Sequence, residues 1–196
     1  MRCAALRFRC AILAVLTCLC VLPAGAEDAR PSKFAAFLSA TVGAKACYTR
    51  RYDGKHLAEH PKQRVTALTF LMRVVGIDMS AGGDWVLDPE GKYDRVNYQF
   101  AMSVTRRAGK PLAASGYCPE EGANVSCIRE CDGGGVIVEK SGEALLIRLD
   151  EFGILMGACD EKKGTWLKAG ADDKSFRAEK VAIEQCAALE KNEFEK

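Results

Sequence analysis

The chain has two histidines, His56 and His60, four residues apart, with Glu59 immediately before the second. The run His56-Leu57-Ala58-Glu59-His60 therefore spells H-x-x-E-H. That is the spacing at which inverted zinc peptidases mount two imidazoles on one side of a helix beside an acid. Asp53, just upstream, is a further oxygen donor. Chemistry of this kind would make the protein a metal-dependent hydrolase using His56, His60 and an acid, Glu59 or Asp53. Pro61 argues against it. A residue before proline is pushed out of the α region, so any helix must end at His60. No second helix with a matching acid supplies a third ligand. The pattern reads more simply as a short turn capped by Asp53, with no resident metal.

The rest of the chain names no reaction. There is no G-x-S-x-G elbow, and neither a catalytic residue nor a cofactor is assigned. Asp132-Gly133-Gly134-Gly135 lacks the lysine and serine of a phosphate loop and reads as a tight turn. Asp150, Glu151, Asp160, Glu161, Asp172 and Asp173 fall in expected loops without the alternating oxygens of a calcium-binding EF-hand, so they read as solvated turns. Three aromatics, Tyr52, Trp85 and Trp166, are the candidates for a ligand surface. Both tryptophans lie near glycine-rich turns, where packing at the rim of a core is the simpler reading.

Arg2, Arg7 and Arg9 precede an apolar run from Cys10 to Leu22, and Pro23-Ala24-Gly25-Ala26 follows. This is the layout of a secretory signal peptide, residues 1–26, cut after Ala26. The run is shorter than the roughly 20 residues a spanning helix needs, so no membrane span is expected after cleavage. Processing would remove three of the 28 basic residues and none of the 26 acids, turning a formal +2 into about −1. That balance gives no electrostatic reason to expect nucleic acid or an anionic membrane as partner. Four of the ten cysteines would leave as well. The six that remain, Cys47, Cys118, Cys127, Cys131, Cys159 and Cys186, read in an oxidising compartment as three disulfides. The expected pairs are Cys118 with Cys127, Cys131 with Cys159, and Cys47 with Cys186. A zinc cluster is the weaker reading, since no C-x-x-C pair is present.

Around these residues, Pro31 to Gly43 has helical spacing. Phe34, Phe37, Leu38, Thr41 and Val42 share a face, Ser32 is placed to cap it, and Gly43 to end it. From Cys47 the period changes to two. Val96, Tyr98, Phe100, Met102 and Val104 alternate with mostly polar residues, and Thr66, Leu68, Phe70, Met72 and Val74 repeat the pattern. A glycine-rich loop from Gly76 to Gly91 separates the two. Shorter strands are expected at 112–117, 136–139, 144–149, 152–156, 165–168 and 175–177. Many short strands with frequent turns point to one mainly β domain, an antiparallel barrel or sandwich. The run Ala178, Val181, Ala182, Gln185, Cys186 and Leu189 has helical spacing and suggests a C-terminal helix. The expected organisation is a helix and linker over 27–46, a disulfide-stapled β domain over 47–190 and a frayed tail over 191–196.

The segment Cys47-Tyr48-Thr49-Arg50-Arg51-Tyr52-Asp53, with His56-Leu57-Ala58 and His60-Pro61-Lys62-Gln63, resembles a group of uncharacterised exported bacterial proteins. The likeness extends through Cys131-Asp132-Gly133-Gly134-Gly135 to Asp172-Asp173 and Phe176. It implies a periplasmic or secreted location and no stated activity. Small periplasmic lysozyme inhibitors are similar in size, bridges and β content, without a shared motif. The expected function is non-catalytic binding of a protein, glycan or small apolar ligand, in an inhibitor-like or envelope accessory role. An enclosed cavity lined by Tyr98, Phe100 or Met102 would favour a carrier, whereas a filled core with an exposed aromatic patch would favour a protein partner.

Overall fold

A computed structural model describes residues 33–119, 125–159 and 162–195. The expected signal peptide and the Ser32 cap lie outside these residues. The elements in chain order are β1 (Lys45–Arg51), α1 (Gly54–Glu59), β2 (Val65–Asp78), β3 (Asp84–Val86), β4 (Arg95–Arg106), β5 (Leu112–Cys118) and β6 (Val125–Ile128). They continue with β7 (Gly134–Ser141), β8 (Ala144–Met156), β9 (Thr165–Leu167), β10 (Ser175–Val181) and α2 (Ala187–Phe194).

Between barrel and sandwich the fold is a barrel. The antiparallel order β1-β10-β8-β7-β6-β5-β4-β2 closes on itself because β2 also pairs with β1. β3 extends the wall beyond β2, and β9 adds to β8. The period-two runs predicted for β2 and β4 pair along most of their lengths, for example Phe70 with Met102 and Met72 with Phe100. Their apolar faces point inward. Leu68, Phe70, Met72, Val74, Tyr98, Phe100, Met102 and Val104 are all at most 1% exposed. Ile147, Ile154 and Phe176 fill the space from the other side of the same cluster. The interior is therefore packed with side chains, as eight-stranded barrels of this width allow.

The predicted helix over Pro31–Gly43 is replaced by a single 3-10 turn, Lys33–Ala36. Phe34 still reaches the core, fully buried and stacked on Tyr98 at 4.5 Å between ring centroids. At the far end, Gly43 and Ala44, the backbone is claimed by the sheet. The Gly43 N–H donates to the Val74 carbonyl, and the Val74 N–H donates to the Ala44 carbonyl, both at 2.9 Å. A segment hydrogen-bonded along a strand cannot also make helical bonds, whatever its spacing.

The expected C-terminal helix is present, but it starts later than its spacing suggests. The run beginning at Ala178 starts as strand, because Ala178 pairs with Leu145 and both face the core. Ile183–Cys186 forms a 3-10 turn, and α2 follows. The tail expected to fray is helical as far as Phe194. α2 lies on the outer wall, where Leu189 joins a small second core with Leu71, Ala101, Cys47 and Cys186, and Phe194 packs against it. Glu190 sits between Lys45 at 2.7 Å and Arg73 at 3.7 Å. The Arg73 guanidinium lies over the Phe194 ring at 3.7 Å. Burial pulls the Arg73 pKa down, and the Glu190 charge opposes that shift.

Three disulfides are present, Cys47–Cys186, Cys118–Cys127 and Cys131–Cys159, the pairs expected from the sequence. The first anchors the start of α2 to β1. The strands expected at 144–149 and 152–156 are one strand, β8, with a bulge where the register slips between Gly134 and Val136 of β7. The Asp150 carboxylate accepts the backbone N–H groups of Phe152 and Gly153 at that bulge.

Candidate functional site

The H-x-x-E-H segment folds as a turn of helix that ends where Pro61 requires. α1 covers Gly54–Glu59, and His60 has already left the helical region at φ −120° and ψ 70°. Asp53 is the cap, its Oδ1 accepting the His56 N–H at 2.8 Å. The two imidazoles stack face to face, centroids 4.1 Å apart and planes 16° from parallel. One nitrogen of each is engaged. His60 Nδ1 donates to the His56 carbonyl at 2.9 Å, and His56 Nε2 bonds the Gln63 side-chain oxygen at 2.9 Å. Among the described residues no cluster of three histidine, cysteine or acidic side chains is spaced to hold a metal ion. Glu59 is exposed on the helix. The geometry is that of a buttressed turn. Arg107 reinforces it by donating to the carbonyls of Gln63, Leu57 and His60 at 2.6, 2.5 and 3.2 Å.

Tyr52 completes a stack with these rings. It lies 4.6 Å from His56 on one side, and the Arg50 guanidinium lies 4.6 Å from its centroid. Burial pushes the Tyr52 phenol above its ordinary range, partly offset by the neighbouring Arg50 charge. Trp166, on β9, is half-buried against the turn at Gly134, and its nearest cation is Lys168 at 5.9 Å from the ring. It is a packing residue of the β8–β9 pair. Of the acids expected in solvated loops, Asp160 and Glu161 lie outside the described residues, Glu151 is exposed on β8, and Asp173 is instead buried. Asp172 accepts the Lys62 N–H, while Asp173 is fully buried and accepts the Arg64 N–H, the Arg64 Nε and the Val65 N–H. The Asp132 glycine run is the expected tight turn. Cys131 and Asp132 have positive φ, and a Cβ on Gly134 would meet the Gly153 carbonyl oxygen at 2.0 Å.

Trp85 has a different setting. The sequence puts it in a loop, but it lies on β3, opposite Ile77 of β2. Its side chain is 48% exposed, beside Met79 at 55%. No described strand pairs with the outer edge of β3. The turn that carries Met79 is pinned at both ends. Asp78 Oδ1 accepts the N–H groups of Ser80 and Ala81 and the Ser80 hydroxyl, and Asp94 accepts the Met79 N–H at 2.7 Å. The Ser80 hydroxyl is the main reason the Asp78 carboxyl titrates below its usual range.

Two clefts meet at Trp85. One, of about 290 Å³, is lined by Ile77, Met79, Trp85, Arg95, Asn97, Tyr117 and Glu130. The other, of about 160 Å³, shares Trp85, Tyr117 and Glu130 and reaches Gln99 and Phe194. Together they form a groove on the outer wall between the β2–β3 hairpin and the end of α2. Sequence reasoning missed Met79, Tyr117, Glu130 and Phe194. Asn97, Gln99 and Tyr117 are outward residues of alternating strands, and only the register, which sets Gln99 opposite Tyr117, brings them under Trp85.

Comparison with protein-family models, with curated proteins and with solved structures returned no match.

Proposed function

We propose that this protein is a non-catalytic binding protein that engages a protein partner through the Trp85 groove. The observation that carries the reading is a tryptophan nearly half exposed on a pinned hairpin, while the barrel behind it is filled. Large aromatics held rigid at the surface are typical anchors of protein interfaces. Side chains that are already ordered lose little entropy on binding. The free edge of β3 supports an extended segment of the partner, which could add as a strand while Trp85 and Met79 receive its side chains. An apolar carrier is the weaker reading, because Phe100 and Met102 are packed in the core cluster and Tyr98 meets only an open cleft shared with Arg95 and Asn97.

The test is affinity capture of the processed protein from periplasmic and culture extract, beside Trp85→Ala and a Trp166→Ala control. Support requires one protein held stoichiometrically by the wild type and the control and lost with Trp85→Ala. Capture that survives Trp85→Ala, or native mass spectrometry showing a small molecule as the sole bound species, overturns the proposal.

A further inference from the structure

A second region of the barrel has a charge that the fold does not neutralise. β1 and β10 pair only at Cys47–Val181, Tyr48–Lys180 and Thr49–Glu179. Below Thr49 the two strands part, as β10 turns to pair with β8. The seam holds a cleft of about 240 Å³, walled by Arg50, Tyr52, His56 and His60 on one side and Ser175 and Arg177 on the other.

Arg50 is the unusual member. It is half-buried, it has no carboxylate partner among the described residues, and its Nε is buried without an acceptor. Arg106, Arg129 and Arg148 also leave Nε unmatched, but Arg129 spends its terminal nitrogens on the Leu155 and Gly157 carbonyls, Arg148 is paired with Glu139, and Arg106 lies beside the Gly109 turn and does not line this cleft. Arg50 instead lies over the Tyr52 ring, its guanidinium carbon 4.6 Å from the centroid, and bonds the Tyr52 phenol. One such bond leaves the rest of its five N–H donors for an acceptor. None of the nearby acids bonds Arg50 among the described residues. Asp172, at the cleft wall, accepts the Lys62 backbone N–H, Asp173 is bound to Arg64, and Glu179 pairs with Arg177.

We propose that this seam is an oxyanion site that takes the carboxylate or phosphate group of a small ligand, with Arg50 as its principal donor. A planar fork and a charged oxyanion make strong, charge-assisted hydrogen bonds. The Ser175 hydroxyl stands on the opposite wall, and Arg177, one terminal nitrogen of which is paired with Glu179, adds its remaining N–H groups. The stack from Tyr52 to His60 holds Arg50 in place.

The experiment titrates the full processed protein with sodium phosphate, sodium acetate and, as control, sodium chloride, at constant ionic strength and pH 6. It follows the His56 and His60 ring resonances by NMR. The expected result is saturable movement with phosphate, acetate or both, at a midpoint on the order of 1 mM, and none with chloride. The stronger of the two identifies the group recognised. Arg50→Gln should weaken binding at least tenfold, and Lys92→Gln, exposed in the β3–β4 loop, should leave it unchanged. Should Arg50→Gln fail to fold, exposed Arg177→Gln gives the decision by weakening the titration roughly two- to fivefold. Movement linear in all three salts, or wild-type binding by a folded Arg50→Gln and by Arg177→Gln, overturns the proposal.

Discussion

Two neighbouring aspartates show how little residue type alone says about a role. Asp172 and Asp173 both read as acids in a turn, yet one is half-buried and the other is sealed from solvent. Asp173 takes the backbone N–H groups of Arg64 and Val65 at 2.9 and 3.2 Å, 109 and 108 residues away in sequence, and so fastens the loop after α1 to the start of β10. Removing a buried acceptor leaves its donors unmatched. Asp173→Ala should therefore cost about 3 kcal/mol in urea unfolding, while Asp172→Ala, which frees one exposed N–H, should cost less than about 1 kcal/mol. Equal losses would mean that the Asp173 bonds contribute nothing beyond a surface turn. His56 and His60 teach the same lesson. Pro61 made the end of α1 legible in the sequence, and Asp53 made its cap legible. The partner of His56, Gln63, was not legible, because nothing in its spacing announces a buried amide.

At the scale of elements, what the sequence disclosed depended on whether local period and pairing agreed. β2 and β4 were readable because an apolar residue at every second position satisfies both the strand and the barrel interior. Pro31–Gly43 and the first residues of the run from Ala178 depart from their helical spacing because strand pairing, set by distant residues, takes the backbone: Gly43 and Ala44 bond Val74 of β2, and Ala178 pairs with Leu145 of β8. Trp85 reads as loop in the sequence because a three-residue strand carries too few positions to show alternation. The β7–β8 pair offers a test of how tightly the bulge is specified. Gly134 and Gly142 both sit at positive φ, +66° and +65°. A Cβ at Gly142 meets open space, whereas one at Gly134 meets the Gly153 carbonyl and Trp166. Gly142→Ala should lose about 1 kcal/mol, the cost of the left-handed backbone alone. Gly134→Ala should lose at least about 3 kcal/mol, because backbone must also move. Thermal unfolding of the two variants side by side checks this, and matching losses would contradict the close approach at the bulge.

For the whole molecule, the three bridges do unequal work. Cys118–Cys127 and Cys131–Cys159 close short loops, with separations of 9 and 28 residues, whereas Cys47–Cys186 spans 139. A cross-link restricts the unfolded chain more the longer the loop it closes, which gives about 5 kcal/mol for the longest and about 3 kcal/mol for the shortest. Replacing each pair by two alanines should therefore rank Cys47–Cys186 as the costliest in urea unfolding. That bridge also has a structural consequence the other two lack. Cys186 is the residue from which α2 starts, and α2 carries Phe194 to the wall of the Trp85 groove. Without the bridge, α2 is still held by contacts that include Leu189, the Glu190 ion pairs, the Ser115–Glu193 hydrogen bond and the Arg73–Phe194 contact. Below the unfolding transition, the Cys47/Cys186 double alanine variant should shift Trp85 fluorescence to the red as the end of the helix loosens. The Cys118/Cys127 variant is the harder control, since Cys118 directly follows Tyr117 on the same groove. A larger red shift there than in the Cys47/Cys186 variant would place the support of the groove in the barrel wall and not in the tethered helix.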